Sequence, residues 1–390
     1  MELARLKDIG KVITGNTPPK RNPAFYSSND IPFIKPTSFS KERIVTISSC
    51  NEFLSNAGVE KGRLVSKGTI LVTCIGEIGN VGIVESDICF NQQINAIEPD
   101  INICLPRYLA YSIFNIKEYL KDKANAPVVP IINKTQFSDI QIPLPPLKTQ
   151  QKIVEVLDKA QSLIDKRKEQ IGLLDDLIQS TFYDMFGDPV RNDMGWEVRK
   201  LIEIVESDCS ISYGIVQPGD DIENGVPIIR PVDLKNGKIN ISKLKKTDAS
   251  IEEGYEKTRL FGNEIIISVR GTTGDTYIVN KDFYGFNVTR GLSVVRLKSN
   301  HNTIYVNEFI RTEHAQRYIQ ENTKGATLRQ INMKDVRQMP IYIPPLQLQT
   351  QFAQKVEKIE EQKKKMEQSL KLMEDNFGGL TQRAFRGEIV

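Results

Sequence analysis

The sequence has no apolar run approaching the roughly 18 residues of a membrane span, so none is expected. Its N-terminal stretch, MELARLKDIGKV, has no apolar core of the kind a secretion signal carries. Cysteines number 5, irregularly spaced and never as a CxxC pair, which fits buried thiols in a reducing cytoplasm rather than a disulfide framework or a zinc site. Histidines number only 2, His301 and His314, both in the second half and with no counterpart in the first. A chain so poor in bases and metal ligands offers little to nucleophilic or metal-assisted catalysis.

The phosphate-binding motifs are missing as well. GTTGDT at 271–276 lacks the GK[ST] ending of a Walker loop and is read as a turn between strands, and no GxGxxG opens a helix. NPAFY at 22–26 resembles the Asn-Pro-Pro-aromatic loop of amino-methyltransferases, but it lacks the second proline and an accompanying glycine-rich cofactor loop. By elimination the chain is expected to act by binding, with no catalytic residue, cofactor or metal of its own. Its formal charge is only +3, made of +3 over 1–148, −3 over 149–190, +2 over 191–348 and +1 over 349–390. Any nucleic-acid surface must therefore be a local concentration of Lys and Arg.

What the chain does have is an internal repeat. IPFIKP (31–36) matches VPIIRP (226–231), and GTILVTCIGEIGNVGIV (68–84) lies over NEIIISVRGTTGDTYIV (263–279), with Gly76 and Gly79 falling on Gly271 and Gly274. CFNQQINAIE (89–98) resembles GFNVTRGLSVV (285–295), and INKTQFSDI (132–140) falls near RQINMKDV (329–336). The proline steps IPLPPLKTQQ (from Ile142) and IYIPPLQLQT (from Ile341) complete the series. Short Ile, Val and Thr runs at 69–75, 264–269 and 291–297 read as strands, and 106–122 and 306–320 as helices. Each copy is thus α+β and mainly β.

A different pattern follows each proline step. Apolar residues recur at Ile153, Leu157, Ala160, Ile164, Ile171, Leu174, Ile178 and Met185, with Arg167 and Thr181 in the two polar slots. They recur again at Phe352, Val356, Ile359, Met366, Leu370, Met373, Phe377, Leu380 and Ala384, with Lys363 intruding. A spacing that alternates four and three is a coiled-coil seam. The expected organisation is a first domain at 1–148, a helix at 149–187, a second domain at 188–347 and a helix at 348–390. Fold-back of one chain makes the two helices, each some 35 residues and roughly 50 Å long, an antiparallel pair between duplicated domains, with pseudo-two-fold symmetry.

Two similar domains held apart suit two short, separated sites on double-stranded DNA. Side chains able to reach bases or phosphates are Asn16, Thr17, Lys20, Arg21, Lys35, Lys41, Arg43, Asn91, Gln92 and Gln93 in the first copy. In the second they are Arg230, Lys235, Lys238, Lys243, Lys245, Lys246, Arg270, Asn287, Thr289, Arg290, Arg329 and Gln330. Lys35 aligns with Arg230, and Asn91 with Asn287. The run Lys363-Lys364-Lys365 is a further candidate for spacer phosphates or a partner, against a plainly solvated face.

The paired PPL steps, the matched heptad helices, STFYDMFGDP (180–189) and LTQRAFRGEIV (380–390) together resemble the specificity subunit of a type I restriction-modification enzyme, over nearly the whole chain. The resemblance implies two target-recognition domains reading a bipartite, interrupted sequence, and helices that set the spacer and dock two methyltransferase subunits. Those partners use S-adenosylmethionine on adenine. Two motor-nuclease subunits use ATP, with Mg, to cleave unmethylated DNA. With Leu6-Lys7-Asp8-Ile9 opening the first domain almost at once, that domain is expected to rely on the C-terminal helix. Three readings compete: a specificity subunit of a methyltransferase-only or fused nuclease-methylase system, a two-headed protein-binding scaffold, and a DNA-modifying enzyme in its own right.

Overall fold

The computed structural model describes residues 1–41, 43–124, 129–234, 239–325 and 329–389. It divides into two compact units: Met1–Lys168 with Gln368–Val390, and Glu169–Glu367. These do not follow breaks at 148, 187 and 347. Each unit takes half of each long helix, because the roots of both helices are packed into the domain cores.

In the first unit the strand order is Gly10–Thr14, Ile94–Pro99, Ile70–Thr73, Val81–Val84, Val45–Ile47. A second sheet runs Phe53–Leu54, Ile31–Ile34, Ile88–Phe90, Leu64–Val65, in which the pair Ile31–Ile34 and Ile88–Phe90 is parallel. Leu3–Arg5 pairs antiparallel with Gln141–Pro143 and closes the ends of the domain. Ile70–Thr73 is buried at every position, as a strand covered on both faces should be.

The second unit repeats the plan with fewer strands in each of its two main sheets among the described residues. Its central sheet is Thr276–Ile278, Ile265–Ser268, Leu292–Val295, and a second is Lys245–Thr247, Val226–Ile229, Asn287–Val288, again with one parallel pair. Glu197–Lys200 pairs with Pro340–Ile343 as the closing ribbon, and Thr323–Lys324 with Gln330–Ile331. Both hairpin tips are built alike. Gly79 N–H donates to the Thr73 carbonyl and Gly274 N–H to that of Ser268, while Thr73 Oγ1 and Ser268 Oγ accept from the N–H of Asn80 and Asp275. The four tip glycines have φ of 78°, 81°, 81° and 96°, the left-handed region that glycine enters without a Cβ penalty.

The two shorter helices each break in two, into Pro106–Asn115 and Lys117–Lys123, and into Thr303–Arg311 and Glu313–Glu321. Thr312, extended at φ −61° and ψ 152°, ends one helix and caps the next by accepting from Ala315 N–H. The sequence pattern carries across this break because both pieces pack an apolar face on the same core.

The long helices span Leu147–Phe186 and Leu346–Arg386, 40 and 41 residues, several more than the seam alone suggested. Each starts directly after a Pro-Pro pair and ends at a left-handed glycine, Gly187 (φ 76°) and Gly387 (φ 82°). Every described seam position is buried or half-buried.

In the first unit Ile153, Leu157, Phe377, Leu380 and Ala384 share a core with the domain, and Lys168 pairs with Glu374 at 2.7 Å. In the second, Phe352 lies 5.5 Å and 5.3 Å from the Phe182 and Phe186 rings, and Lys363 meets Asp175 at 2.5 Å. Within each unit the helix halves therefore run in opposite directions. The C-terminal half-helix belongs to the core of the first unit, where Phe385 lies against Tyr108 at 5.4 Å.

Four of the five cysteines are buried. Burial pushes the thiols of Cys74 and Cys104 up to about 12 and that of Cys89 up to about 11, so they pack as small apolar groups.

Candidate nucleic-acid interface

The parallel strand pair fixes the equivalence of the two halves. Phe33 and Ile34 face Cys89 and Phe90, as Ile228 and Ile229 face Asn287 and Val288. Asn91 N–H then donates to the Ile34 carbonyl, and Thr289 N–H to that of Ile229. The pairing of Asn91 with Asn287 is thereby corrected: the counterpart of Asn91 is Thr289, and that of Asn287 is Cys89. Gln92 corresponds to Arg290 and Gln93 to Gly291.

Several aligned candidates are taken up by the fold. Asn91 is buried, with Nδ2 donating to Gln93 Oε1 at 2.8 Å. Asn287 is wholly buried: Oδ1 accepts from Thr258 Oγ1 at 2.7 Å, and Nδ2 donates to Glu252 Oε1 at 2.8 Å. Burial raises the Glu252 carboxyl, but Arg259 and Asn287 outweigh it and hold the group below its ordinary range. At the equivalent place the first unit has an apolar cluster of Phe33, Leu54 and Cys89.

Lys35 pairs with Glu52, and Arg230 forks onto Asp233 with two 2.9 Å bonds. Lys245 and Lys246 donate to the carbonyls of Gly219 and Glu223 at 2.7 and 2.6 Å, pinning the preceding loop. Thr289 Oγ1 faces the Ile229 carbonyl at 3.4 Å. These side chains hold local structure, and buried amides present no edge to a base.

Other candidates stand clear. Lys20, Arg21, Lys243, Arg290 and Arg329 are exposed and have no ion pair or side-chain hydrogen bond among the described residues. In the first unit the loop after Gly15 carries Asn16, Thr17, Lys20 and Arg21, and its first two residues lie beside the 91–93 turn. Thr17 Oγ1 donates to Gln92 Oε1, and Asn16 Nδ2 to the Lys61 carbonyl at 2.6 Å. In the second unit Arg270 bridges Gln330, whose Nε2 donates to Tyr213 Oη at 3.3 Å, and Arg329 adjoins them. The Nε of Arg270 is buried with no partner among the described residues.

Lys41 and Arg43 lie elsewhere, paired with Glu77 at 2.5 Å and Asp165 at 3.4 Å. Arg43 lines an open groove on the long helix together with Asp165, Lys168 and Glu374, a balanced set of charges. Lys235 and Lys238 lie outside the described residues. In the lysine run, Lys363 and Lys365 are paired with Asp175 and Glu361, and Lys364 is exposed.

Two side chains with structural weight escaped the sequence reading. Gln150 and Gln349, both buried, begin the long helices. Gln150 Nε2 donates to the carbonyls of Ile103 and Pro145, and its Oε1 accepts from Leu105 N–H. Gln349 Nε2 donates to the Pro344 carbonyl and its Oε1 accepts from Asn302 N–H. They clamp each helix to its domain, and their signal was the same glutamine three residues after each PPL leucine.

The site is a pair of exposed, cationic loop clusters on duplicated mixed α/β frames, among whose described residues no group of three metal-ligating side chains occurs. The model of the family described as "Type I restriction modification DNA specificity domain" matches residues 1–173 and 194–372. The chain belongs to that family, and is a specificity subunit of the type I restriction-modification class.

The type I restriction enzyme MjaIX specificity subunit of Methanocaldococcus jannaschii is 27% identical over 379 residues, covering 90% of this chain and 84% of that one. The EcoBI specificity subunit of Escherichia coli is 22% identical over 329 residues, 77% and 69% of the two chains. A solved structure described as the basis of complex assembly and conformational transition of the type I R-M system shares the fold. It has a TM-score of 0.62 at 16% identity, over 100% of this chain and 98% of that one.

Proposed function

We propose that the chain binds double-stranded DNA and supplies the sequence reading of a type I restriction-modification complex without catalysing a step itself. Each globular half reads one part of a bipartite, interrupted target. The long helices form an antiparallel coiled coil that sets the gap and docks two methyltransferase subunits, which carry S-adenosylmethionine to an adenine. Two motor-nuclease subunits, using ATP and Mg, complete the assembly. The helices' outward residues are the docking surface, and the exposed Lys and Arg of the two loop clusters position the phosphates.

The observation that carries this reading is the repeated backbone itself. The same strand-turn frame occurs twice, with unlike side chains at its exposed turn, which is what two readers of two different half-sites require. The discriminating experiment measures binding of the full chain with its methyltransferase subunits to its genomic methylation motif, altering each half of the motif separately. Loop-cluster variants in one domain should lose discrimination at one half only. Equal loss at both halves would overturn the assignment.

A further inference from the structure

We propose that Gln92 and Arg290 are paired base-reading side chains, Gln92 taking an adenine in one half-site and Arg290 a guanine in the other. This rests on the two-headed reading above and deepens it to named bases.

Gln92 and Arg290 occupy one and the same backbone position. The residue before each donates its N–H to the parallel strand, at Ile34 and Ile229. The residue after each offers its carbonyl to the central strand, Gln93 to Cys74 N–H and Gly291 to Val269 N–H. The N–H of Ile94 and of Leu292 closes the turn onto the carbonyls of Asn91 and Thr289. Of the three turn residues in each half, the fold thus takes the first and third, and the middle side chain projects into solvent. Both middle residues are exposed, while Asn91 and Thr289 are buried and half-buried.

The loop beside the turn is held equally tightly in both halves. Gly15 lies against the carbonyl of Asn91 and Gly214 against that of Val288, each so closely that a Cβ would collide with backbone. Gly291 likewise leaves no room for a Cβ against the Pro231 ring. A reading side chain needs a root of this stiffness, because ordering a mobile one on binding would consume the affinity gained.

The two side chains differ in a way that matches base chemistry. Glutamine presents one acceptor and one donor, the complement of adenine N6 and N7. Arginine presents two donors, the complement of guanine O6 and N7. Thr17 Oγ1 already donates to one lone pair of Gln92 Oε1. That bond fixes the amide plane and leaves the second lone pair and the Nε2 donors facing out. Arg290 is exposed and has no carboxylate partner among the described residues, so its fork is available to an acceptor-rich edge. Thr17 is a positioning residue in this scheme.

The test selects duplexes from a random pool with the full chain in complex with its methyltransferase subunits, at moderate salt, and sequences the bound fraction. Wild type should enrich a two-part motif. Gln92→Ala should relax a single A·T position in one part, cutting discrimination there roughly tenfold or more. Gln92→Arg should move that position toward G·C, and Arg290→Gln should shift one G·C position in the other part toward A·T. Thr17→Val should weaken the Gln92 preference without changing which base is preferred. A two-part wild-type motif that all four variants reproduce unchanged, or changes spread over both parts, would overturn the assignment while leaving the two-headed reading intact. A wild type that enriches no two-part motif would overturn that reading, and the assignment with it.

Discussion

The turn at 91–93 and the turn at 289–291 share the three backbone hydrogen bonds that tie them to the parallel strand, to the central strand and across the turn itself, yet one reads Asn-Gln-Gln and the other Thr-Arg-Gly. The positions around them diverge in the same manner. Ile75 bridges Ile131 in the first unit, where Arg270 bridges Gln330 in the second. Beneath the turn, an apolar cluster of Phe33, Leu54 and Cys89 is replaced by a polar network of Glu252, Arg259, Asn287 and Thr258. A frame can be kept constant by its main-chain bonds and glycines while both its surface and part of its core change chemistry. Two different half-sites can then be read by one architecture.

The largest contrast to break lies at the helix roots. Phe352 packs among Phe182, Phe186 and Tyr305, while its counterpart Ile153 belongs to the core cluster of the first unit; both are essentially fully buried. Phe352→Ala should cost about 3–5 kcal/mol and Ile153→Ala about 2–5 kcal/mol. Hydrogen exchange should localise the loss, at Ile265–Ser268 for the first variant and at Ile70–Thr73 for the second. Loss of protection in the same strands for both would mean that the units do not own their helix halves.

The buried network gives the second unit a pH response that the apolar cluster cannot have. Glu252 is held below its ordinary range when folded, so its contribution is fully present above the unfolded value near 4.5 and is lost as pH falls through the folded one. Glu252→Gln should cost about 1.5–3 kcal/mol at neutral pH. The wild-type advantage should shrink in acid, read by thermal unfolding at pH 7 and pH 4. An advantage that grows in acid would show that the carboxylate is not the favoured form.

A finer contrast concerns the clamping glutamines. Removing Gln150 orphans three backbone groups and removing Gln349 two, at about 1–3 kcal/mol for the more costly variant. Denaturant titration should rank Gln150→Ala as the more destabilised, and the reverse order would refute the hydrogen-bond account. The smallest expected effect is on the surface. Lys20→Ala and Arg21→Ala should each lower the slope of log K against log salt by about 1, uniformly across sequences, if they meet phosphates. A change confined to one base pair would move them to the reading class.

Periodicity made the frame legible. The proline steps, the seam and the glycine tips recur because buried and sterically constrained positions tolerate little change. The candidate interface was legible only in part. A two-residue error of register at a strand-to-turn junction was enough to pair Asn91 with Asn287, and only main-chain bonds fix that register. Lys35 and Arg230 looked alike as cations, but each is neutralised by an acid, Glu52 and Asp233, that lies outside the matched blocks. The splits at Ile116 and Thr312 were hidden because apolar spacing continues through them.

The most direct test replaces residues 191–340 with the matching segment of another specificity subunit and determines the methylation motif of cells carrying the chimera with its methyltransferase. The account predicts that one half of the motif changes while the other half and the gap persist. A motif altered in both halves, or in neither, would contradict it.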